Sequence, residues 1–275
     1  MSEADGTGSL PAGFAYPTWE TTVTPAHQAL RLRQSDVEPA IHGDWLDVTL
    51  LALESLFATR RAGLSARGTV HVRQAIRLAA PIRLGETLTV RGTVTRVEPA
   101  SRGTLTWHRF DFVRPDGSVP LTTERAGLRL DPARAAGDAR GEPAPARARD
   151  DSNGMTRLAA KQLAPGDVAA YIEEAQNPLH DDPEVARRFG YRAPIATGLM
   201  GGHFVMEALV RRGGALAGLD MDLRFLRPTF WDDALEVWGR DGPGGTLAEV
   251  AIVNTAGKAV SVATLGGVRY LGRAG

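Results

Sequence analysis

The sequence contains no cysteine among its 275 residues, which excludes disulfide bonds, thiolate chemistry and cysteine metal sites. It also lacks an excess of charge of either sign, because 32 Lys and Arg residues balance 32 Asp and Glu residues. A general nucleic-acid binder carries a basic surplus, so that class is not expected. Apolar runs stop well short of a membrane span, and residues 1–18 show no basic segment followed by an apolar core. We therefore expect a cytoplasmic protein without a membrane segment or signal peptide.

The apolar content is sufficient for a buried core, at 43% hydrophobic residues, and 31 glycines and 17 prolines indicate many turns. The first strong helical pattern runs from Asp44 to Arg60. From Gly68 the apolar period changes to two, which predicts several antiparallel strands up to Leu130. Upstream, residues 14–23 and 28–32 are interpreted as a first strand and its approach. The helical face consists of apolar residues three or four positions apart: Leu46, Leu50, Leu53, Leu56 and Phe57.

The same order of elements recurs after a stretch that is poor in large apolar residues. Residues 133–154 are interpreted as a linker, which predicts an N-terminal domain at 1–132 and a C-terminal domain at 155–275. Residues 80–90 align without a gap with residues 227–237. Both halves run from a strand through a long helix to hairpin-rich strands. This repeat indicates two antiparallel sheets, each wrapped around a long helix, in an α+β fold.

Only the second half carries a stretch with a clear chemical pattern, between Asp167 and Met206. A short helix leads into Asn177-Pro178-Leu179-His180, and Asp182 and Pro183 are typical of the cap and first residue of another short helix. Gly190 ends that helix. Residues 194–198 then form an extended approach to an apolar helix that begins near Leu199.

This stretch resembles the MaoC-like hydratase and dehydratase family of (R)-specific enoyl-CoA hydratases. The resemblance implies a double hot dog fold, with binding sites at the seam between the halves and a non-catalytic first half that shapes the acyl pocket. One departure weakens the implied activity, because the family's catalytic aspartate corresponds to Ala175 and its preceding glycine to Glu174. The matching residues lie within the stretch of about forty positions from Asp167 to Met206: Asn177, Pro178, Leu179, His180, Asp182, Pro183, Glu184, Ala186, Pro194, Ile195, Gly198 and Leu199.

The resemblance points to four candidate catalytic residues. His180 suits general acid/base work, because an unperturbed imidazole titrates near pH 6.5; the alternative is a loop histidine bonded to a nearby turn. Asn177 would orient the loop or a water molecule, or would only form an Asn-Pro turn. Gly198 would present helix N–H groups to a thioester oxygen, a role compatible with a purely conformational one. Glu174 would replace the missing aspartate, unless a helical segment points it elsewhere.

Other charged residues have simpler interpretations beside a functional one. Arg187, Arg188 and Arg192 would bind CoA phosphates, or would form a solvated helix face. His203 is interpreted as a packed helix histidine. His42 and Asp44 of the first half do not match the motif and are interpreted as loop and N-cap residues.

Together these inferences predict hydration of a 2-enoyl thioester or dehydration of a 3-hydroxyacyl thioester, with CoA favoured over acyl carrier protein. The resemblance implies no metal and no redox cofactor, since CoA enters as part of the substrate. Because position 175 is alanine, two alternatives remain. Either the substrate supplies its own acidic group, or the protein is an acyl-CoA binding pseudoenzyme or partner subunit. A thioesterase is a further alternative. Exposed sheet edges predict a homodimer of double hot dogs.

Overall fold

The computed structural model describes residues 10–66, 68–131 and 152–272. In the described part, the strands of the first half are β1 (Trp19–Thr22), β2 (Thr69–Leu78), β3 (Thr87–Ala100), β4 (Gly103–Val113) and β5 (Leu121–Leu130). Those of the second half are β6 (Thr156–Gln162), β7 (Leu216–Phe225), β8 (Ala234–Asp241), β9 (Leu247–Asn254) and β10 (Ala259–Tyr270). The helices are α1 (Pro25–Gln34), α2 (Thr49–Arg61), α3 (Pro165–Tyr171), α4 (Pro183–Arg188) and α5 (Gly198–Gly213).

The two halves join edge to edge into one antiparallel sheet. The strand order is β1-β3-β4-β5-β2-β7-β10-β9-β8-β6, so each half contributes five neighbouring strands. The seam is the β2–β7 pair, where Ile76 stands opposite Met221. The two predicted sheets therefore exist as the two halves of a continuous sheet. A pairing of this kind satisfies the backbone groups that each half alone would leave exposed at an edge.

The long helices α2 and α5 lie against each other inside this sheet. Leu50, Leu53 and Phe57 of α2 are buried, as the apolar spacing predicted. In α5 nearly every residue from Leu199 to Val210 is buried, which is typical of a helix enclosed on all sides. The two backbones approach closely at Gly202, where an added Cβ would stand 2.7 Å from Cγ2 of Thr49.

Two local predictions in the first half were wrong. Residues 28–32, interpreted as extended, belong to α1, because Oγ1 of Thr24 accepts a hydrogen bond from the N–H of His27 and Pro25 opens the helix. Asp44 is not an N-cap. The long helix begins at Thr49, whose N–H donates to Oδ1 of Asp47 at 2.9 Å.

The predicted domain boundaries remain a prediction, because most of the linker at 133–154 lies outside the described residues. Within the described ranges, no helix is both long enough and apolar enough to cross a membrane.

Candidate functional site at the seam

A cavity of about 330 Å³ lies at the seam between the halves. The first half supplies residues from β2, β4 and β5. The second half supplies the Asn177–His180 loop, the start of α5 and residues 225–229. The volume is in the range of small-molecule sites, and the position agrees with the seam site that the family resemblance implied.

His180 lines this cavity and has one ring nitrogen engaged. Its Nδ1 lies 2.7 Å from the carbonyl oxygen of Ile195, which can only accept, so Nδ1 carries the proton and Nε2 keeps its lone pair. Burial lowers the pKa of His180, against opposing contributions from the Ile195 carbonyl and Asp181. The side chain is therefore a neutral imidazole with its basic nitrogen available near neutral pH.

Backbone bonds hold the histidine loop beside the approach to α5. The N–H of Ile195 donates to the carbonyl of Leu179 at 3.0 Å, and the N–H of His180 donates to the carbonyl of Asn177 at 3.1 Å. Asn177 is buried, and its Nδ2 donates to the carbonyl of Thr69 at 3.0 Å. This amide fastens the loop of the second half to β2 of the first half, so its position is that of a loop-orienting residue.

Gly198 opens α5 and lines the same cavity. The first N–H groups of a helix have no acceptor within the helix, and no side chain caps this one. A side chain at this position would force Phe225 to shift, because an added Cβ would stand 2.3 Å from Cε1 of Phe225. The helix start is thus open to a ligand oxygen, in the positive field of the helix dipole.

Ala175 and Glu174 occupy different environments. Ala175 lines the cavity with its methyl group, where the family has an aspartate. Glu174 does not line it, because its carboxylate accepts a hydrogen bond from Arg31, and its carbonyl accepts one from Arg60 at 2.7 Å. The structure therefore does not bring Glu174 to His180. No Asp or Glu among the described residues lines this cavity.

The three arginines predicted to bind CoA also lie outside the cavity lining. Nε of Arg187 donates to the carbonyl of Pro183, and Arg188 lies 3.9 Å from Glu184. Arg192 contacts both Asp232 and Asp233. Other arginines do line the cavity: Arg102, Arg125, Arg129 and Arg227.

The comparison with solved structures concerns the whole chain. HtdX of Mycobacterium tuberculosis superposes with a TM-score of 0.73 at 20% identity, covering 91% of this chain and 99% of its own. A MaoC-like dehydratase of Phytophthora capsici gives 0.68 at 15% identity, covering 96% and 97%. A conserved hypothetical protein of Mycobacterium tuberculosis, described as a double hot dog, gives 0.60 at 13%, covering 93% and 96%.

The chain has the double hot dog fold. No protein-family model and no curated protein matches the sequence. The predicted fold is confirmed, and the structures that share it include those of the family that the motif resembles.

Sequence reasoning missed the polar side of the double hot dog cavity that the first half provides. His71, His108 and Arg125 line it. Burial lowers the pKa of His71 to about 3 and that of His108 to about 2, with Arg125 adding to both shifts. The period of two along β5 puts Arg125 on one face with Thr123 and Gly127. Only the packing shows that this face is the buried one.

His203 is fully buried, as the packed-histidine interpretation predicted. Its Nδ1 lies 2.8 Å from Oδ2 of Asp47, and its Nε2 lies 2.7 Å from the hydroxyl of Tyr171. None of these three residues lines the seam cavity. The network joins α2, α5 and α3, so it ties the two halves of the double hot dog together.

Proposed function

We propose that the protein hydrates a 2-enoyl-CoA thioester, or catalyses the reverse dehydration of a 3-hydroxyacyl-CoA. The observation that carries this proposal is that His180 and the uncapped start of α5 at Gly198 line one cavity. A neutral imidazole with a free Nε2 suits water activation, and helix N–H groups suit an oxygen that gains negative charge. The motif resemblance and the fold of the solved dehydratase support the same reaction.

In the forward direction, Nε2 of His180 accepts a proton from water as the water oxygen bonds to C3 of the enoyl group. The π electrons of the C2–C3 bond move into the thioester, and its oxygen becomes an enolate oxygen. The N–H at Gly198 donates to that oxygen. His180 then returns the proton to C2, which restores the neutral imidazole and completes the addition of water.

The thiol carrier is proposed to be CoA. Arg102 and Arg129 line the cavity, so they are better placed to meet CoA phosphates than Arg187, Arg188 and Arg192, which do not. A comparison of crotonyl-CoA with crotonyl acyl carrier protein tests the carrier.

The reaction itself is tested by the loss of enone absorbance of crotonyl-CoA with purified protein. Hydration by the wild type is expected to fall by about 10²–10⁴-fold in His180→Ala, because a positioned acid/base group contributes that much. His180→Gln keeps hydrogen bonding without basicity and is expected to be equally inactive. Wild-type turnover that survives both substitutions would contradict the role of His180.

An acyl-CoA binding protein without turnover is the second candidate, favoured by the methyl group of Ala175 and the absence of a carboxylate among the described residues that line the cavity. Saturable binding of crotonyl-CoA and of longer 2-enoyl-CoA thioesters, with no loss of absorbance, would support it. A thioesterase would release free CoA, which a thiol reagent detects in the same samples.

The assembly and location are also proposals. β1 and β6 form the two edges of the described sheet. We expect a homodimer of double hot dogs, which light scattering measures, and a cytoplasmic location, which cell fractionation measures.

A further inference from the structure

Two buried arginines have very different surroundings. Arg31 and Arg125 are each 4% exposed. Arg31 donates to five acceptors: Nε2 of His27, Oε1 of Gln34, the carbonyls of Ala170 and Tyr171, and Oε1 of Glu174. Arg125 donates to one, Oγ1 of Thr59, at 3.2 Å.

The remaining donors of Arg125 lack protein acceptors. Its Nε is buried without a hydrogen-bond partner, and no carboxylate of the described residues lies within 4.0 Å of its guanidinium. Its Cζ stands 5.8 Å from the ring centroid of Phe110, a weak substitute for an anion. Burying a charge without a partner is costly, so such a side chain is a liability for folding unless a ligand completes it.

Arg125 faces the seam cavity. It lines that cavity together with Thr59 and Gly127. Gly127 follows it on the same face of β5, and an added Cβ there would stand 3.6 Å from Nη1 of Arg125. That Cβ would also stand 3.2 Å from Cγ2 of Thr69, so a side chain at position 127 would crowd the cavity wall beside the guanidinium.

The other titratable groups of this wall do not neutralise the guanidinium. His71 and His108 are uncharged at neutral pH, and Nδ1 of His108 lies 2.9 Å from the hydroxyl of Tyr16. The described part of the cavity wall contains four arginines and no carboxylate, so its field attracts an anion.

The strand register places this charge a short distance from the point where the Asn177 loop is fastened to β2. Asn177 bonds to the carbonyl of Thr69, and Thr69 stands opposite Arg129 on β5. The guanidinium lies near Gly127, two residues along β5 from Arg129, which is roughly 7 Å at the rise of a strand. Arg125, His180 and Gly198 all line one cavity of about 330 Å³, so an acyl chain that reaches from the histidine loop to the guanidinium is short.

We propose that the acyl chain ends in a carboxylate that Arg125 binds, so that the substrate is a CoA monothioester of a short dicarboxylic acid. This inference rests on the proposed function for the reacting end, but not for the binding of the acid. The fork of the guanidinium binds the two carboxylate oxygens in parallel, and the hydroxyl of Thr59 lies beside it.

The binding test uses thioesters that cannot be hydrated. Isothermal titration compares adipyl-CoA with hexanoyl-CoA, which has a methyl group in place of the acid. We expect the wild type to bind adipyl-CoA more tightly by on the order of 10²-fold. Arg125→Met should abolish that preference and leave hexanoyl-CoA binding unchanged or improved, and Arg125→Lys should restore it in part. Arg109→Met, on the neighbouring strand in an exposed ion-pair cluster, is the control that should behave as wild type.

Stability separates a ligand role from a structural one. Because no carboxylate of the described residues pairs with Arg125, Arg125→Met should unfold at the same denaturant concentration as the wild type or a higher one. A variant that is less stable and still prefers adipyl-CoA would overturn the proposal, as would a wild type that binds the two thioesters equally.

Turnover separates this inference from the proposed function. Hex-2-enedioyl-CoA and hex-2-enoyl-CoA are compared for hydration by the wild type. If the wild type binds the diacid thioester more tightly but hydrates neither compound, the hydratase proposal is wrong and the carboxylate site is supported. If the wild type hydrates both compounds with equal kcat/KM, the hydratase proposal is supported and the carboxylate site is wrong.

Discussion

The two halves of the molecule start their central helices in equivalent ways and use those starts differently. The N–H of Leu46 donates to the carbonyl of Ile82, and the N–H of Ala196 donates to the carbonyl of Thr229, at matching positions of the internal repeat. Asp47 thus corresponds to Thr197. By the same step, Val48 before α2 corresponds to Gly198 at the start of α5.

In the first half, the start of the central helix is filled by protein side chains. Asp47 bonds the N–H of Thr49 and the ring of His203, so a carboxylate already occupies the helix start. The space beside Val48 is about 10 Å³, bounded in part by Met206 and Leu216. Gly198, by contrast, lines the seam cavity of about 330 Å³.

The same fold thus occurs twice in this chain with two different outcomes. Two side chains at the start of the central helix decide whether that start is buried in the core or open to the cavity. A carboxylate and a valine make the first helix start part of the core. A threonine that does not cap and a glycine leave the second helix start to a ligand. The first half instead contributes the polar side of the cavity, formed by Arg125, His71 and His108 and called the far wall below.

The largest expected effect on stability is at the filled helix start. Asp47→Ala should cost about 3–5 kcal/mol, because it leaves the buried His203 and the N–H of Thr49 without their partner. Thr197→Ala, the matched change at the open start, should cost less than about 1 kcal/mol. Urea unfolding measures both. Equal costs would mean that the two starts are not used differently.

The largest expected effect on activity after that of His180 is at the open start. Gly198→Ala should lower hydration by about 10²–10³-fold, because the added Cβ forces Phe225 to shift and displaces the donating N–H. Val48→Ala, its counterpart in the first half, should lower stability by roughly 1–3 kcal/mol and leave hydration unchanged. Steady-state kinetics with crotonyl-CoA distinguish the two, and a comparable loss in Val48→Ala would argue against a role specific to the second half.

Acid should destabilise the protein through the histidines of the far wall. His71 and His108 have folded pKa values of about 3 and about 2, below the unfolded value near 6.5. Their stabilising effect is complete above about pH 6.5 and is lost as the pH falls toward those folded values, because the unfolded chain then binds more protons. The loss should be on the order of 1–3 kcal/mol per pH unit.

Unfolding by urea at several pH values below 6.5 measures this slope. His108→Gln removes one of the two groups, so its slope should be about half that of the wild type. An unchanged slope in this variant would show that other groups cause the acid sensitivity.

The smallest expected effect is a gain. Ala175→Asp places a carboxylate in the cavity wall near the histidine loop and should raise hydration by about tenfold to a hundredfold, toward the lower range of a positioned acid/base group. Ala170→Asp on α3, which does not line the cavity, is the matched control. No gain at position 175 would indicate that a substrate group already serves this role.

The regular elements were largely predictable because they depend on local patterns. The strand Leu121–Leu130 has the predicted bounds, and the helix expected near Leu199 begins at Gly198. The start of α2 was not predictable. The apolar period continues upstream to Leu46, but the first helical N–H, that of Thr49, finds its acceptor in the Asp47 carboxylate. Periodicity reports which residues are apolar, and a boundary depends on where the backbone groups find partners.

The site was predictable only in part. The motif identified His180, Asn177 and Gly198, which the structure brings to one cavity wall. It did not show the direction of Glu174, which is decided by Arg31, 143 positions away in the chain. It also gave no sign of the far wall, because alternation in a strand cannot tell the cavity face from the opposite face.

The sequence by itself determined the duplicated architecture. It also determined that a histidine loop is followed by a short helix and then by a helix that begins with glycine. These features follow from periodicity, caps and turns between near neighbours. The tertiary structure decided which helix start is open, where Glu174 points and that Arg125 stands in the cavity wall without a carboxylate partner among the described residues. These features depend on contacts between residues far apart in the chain, such as Arg31 with Glu174 and Asp47 with His203, and no local preference encodes such contacts.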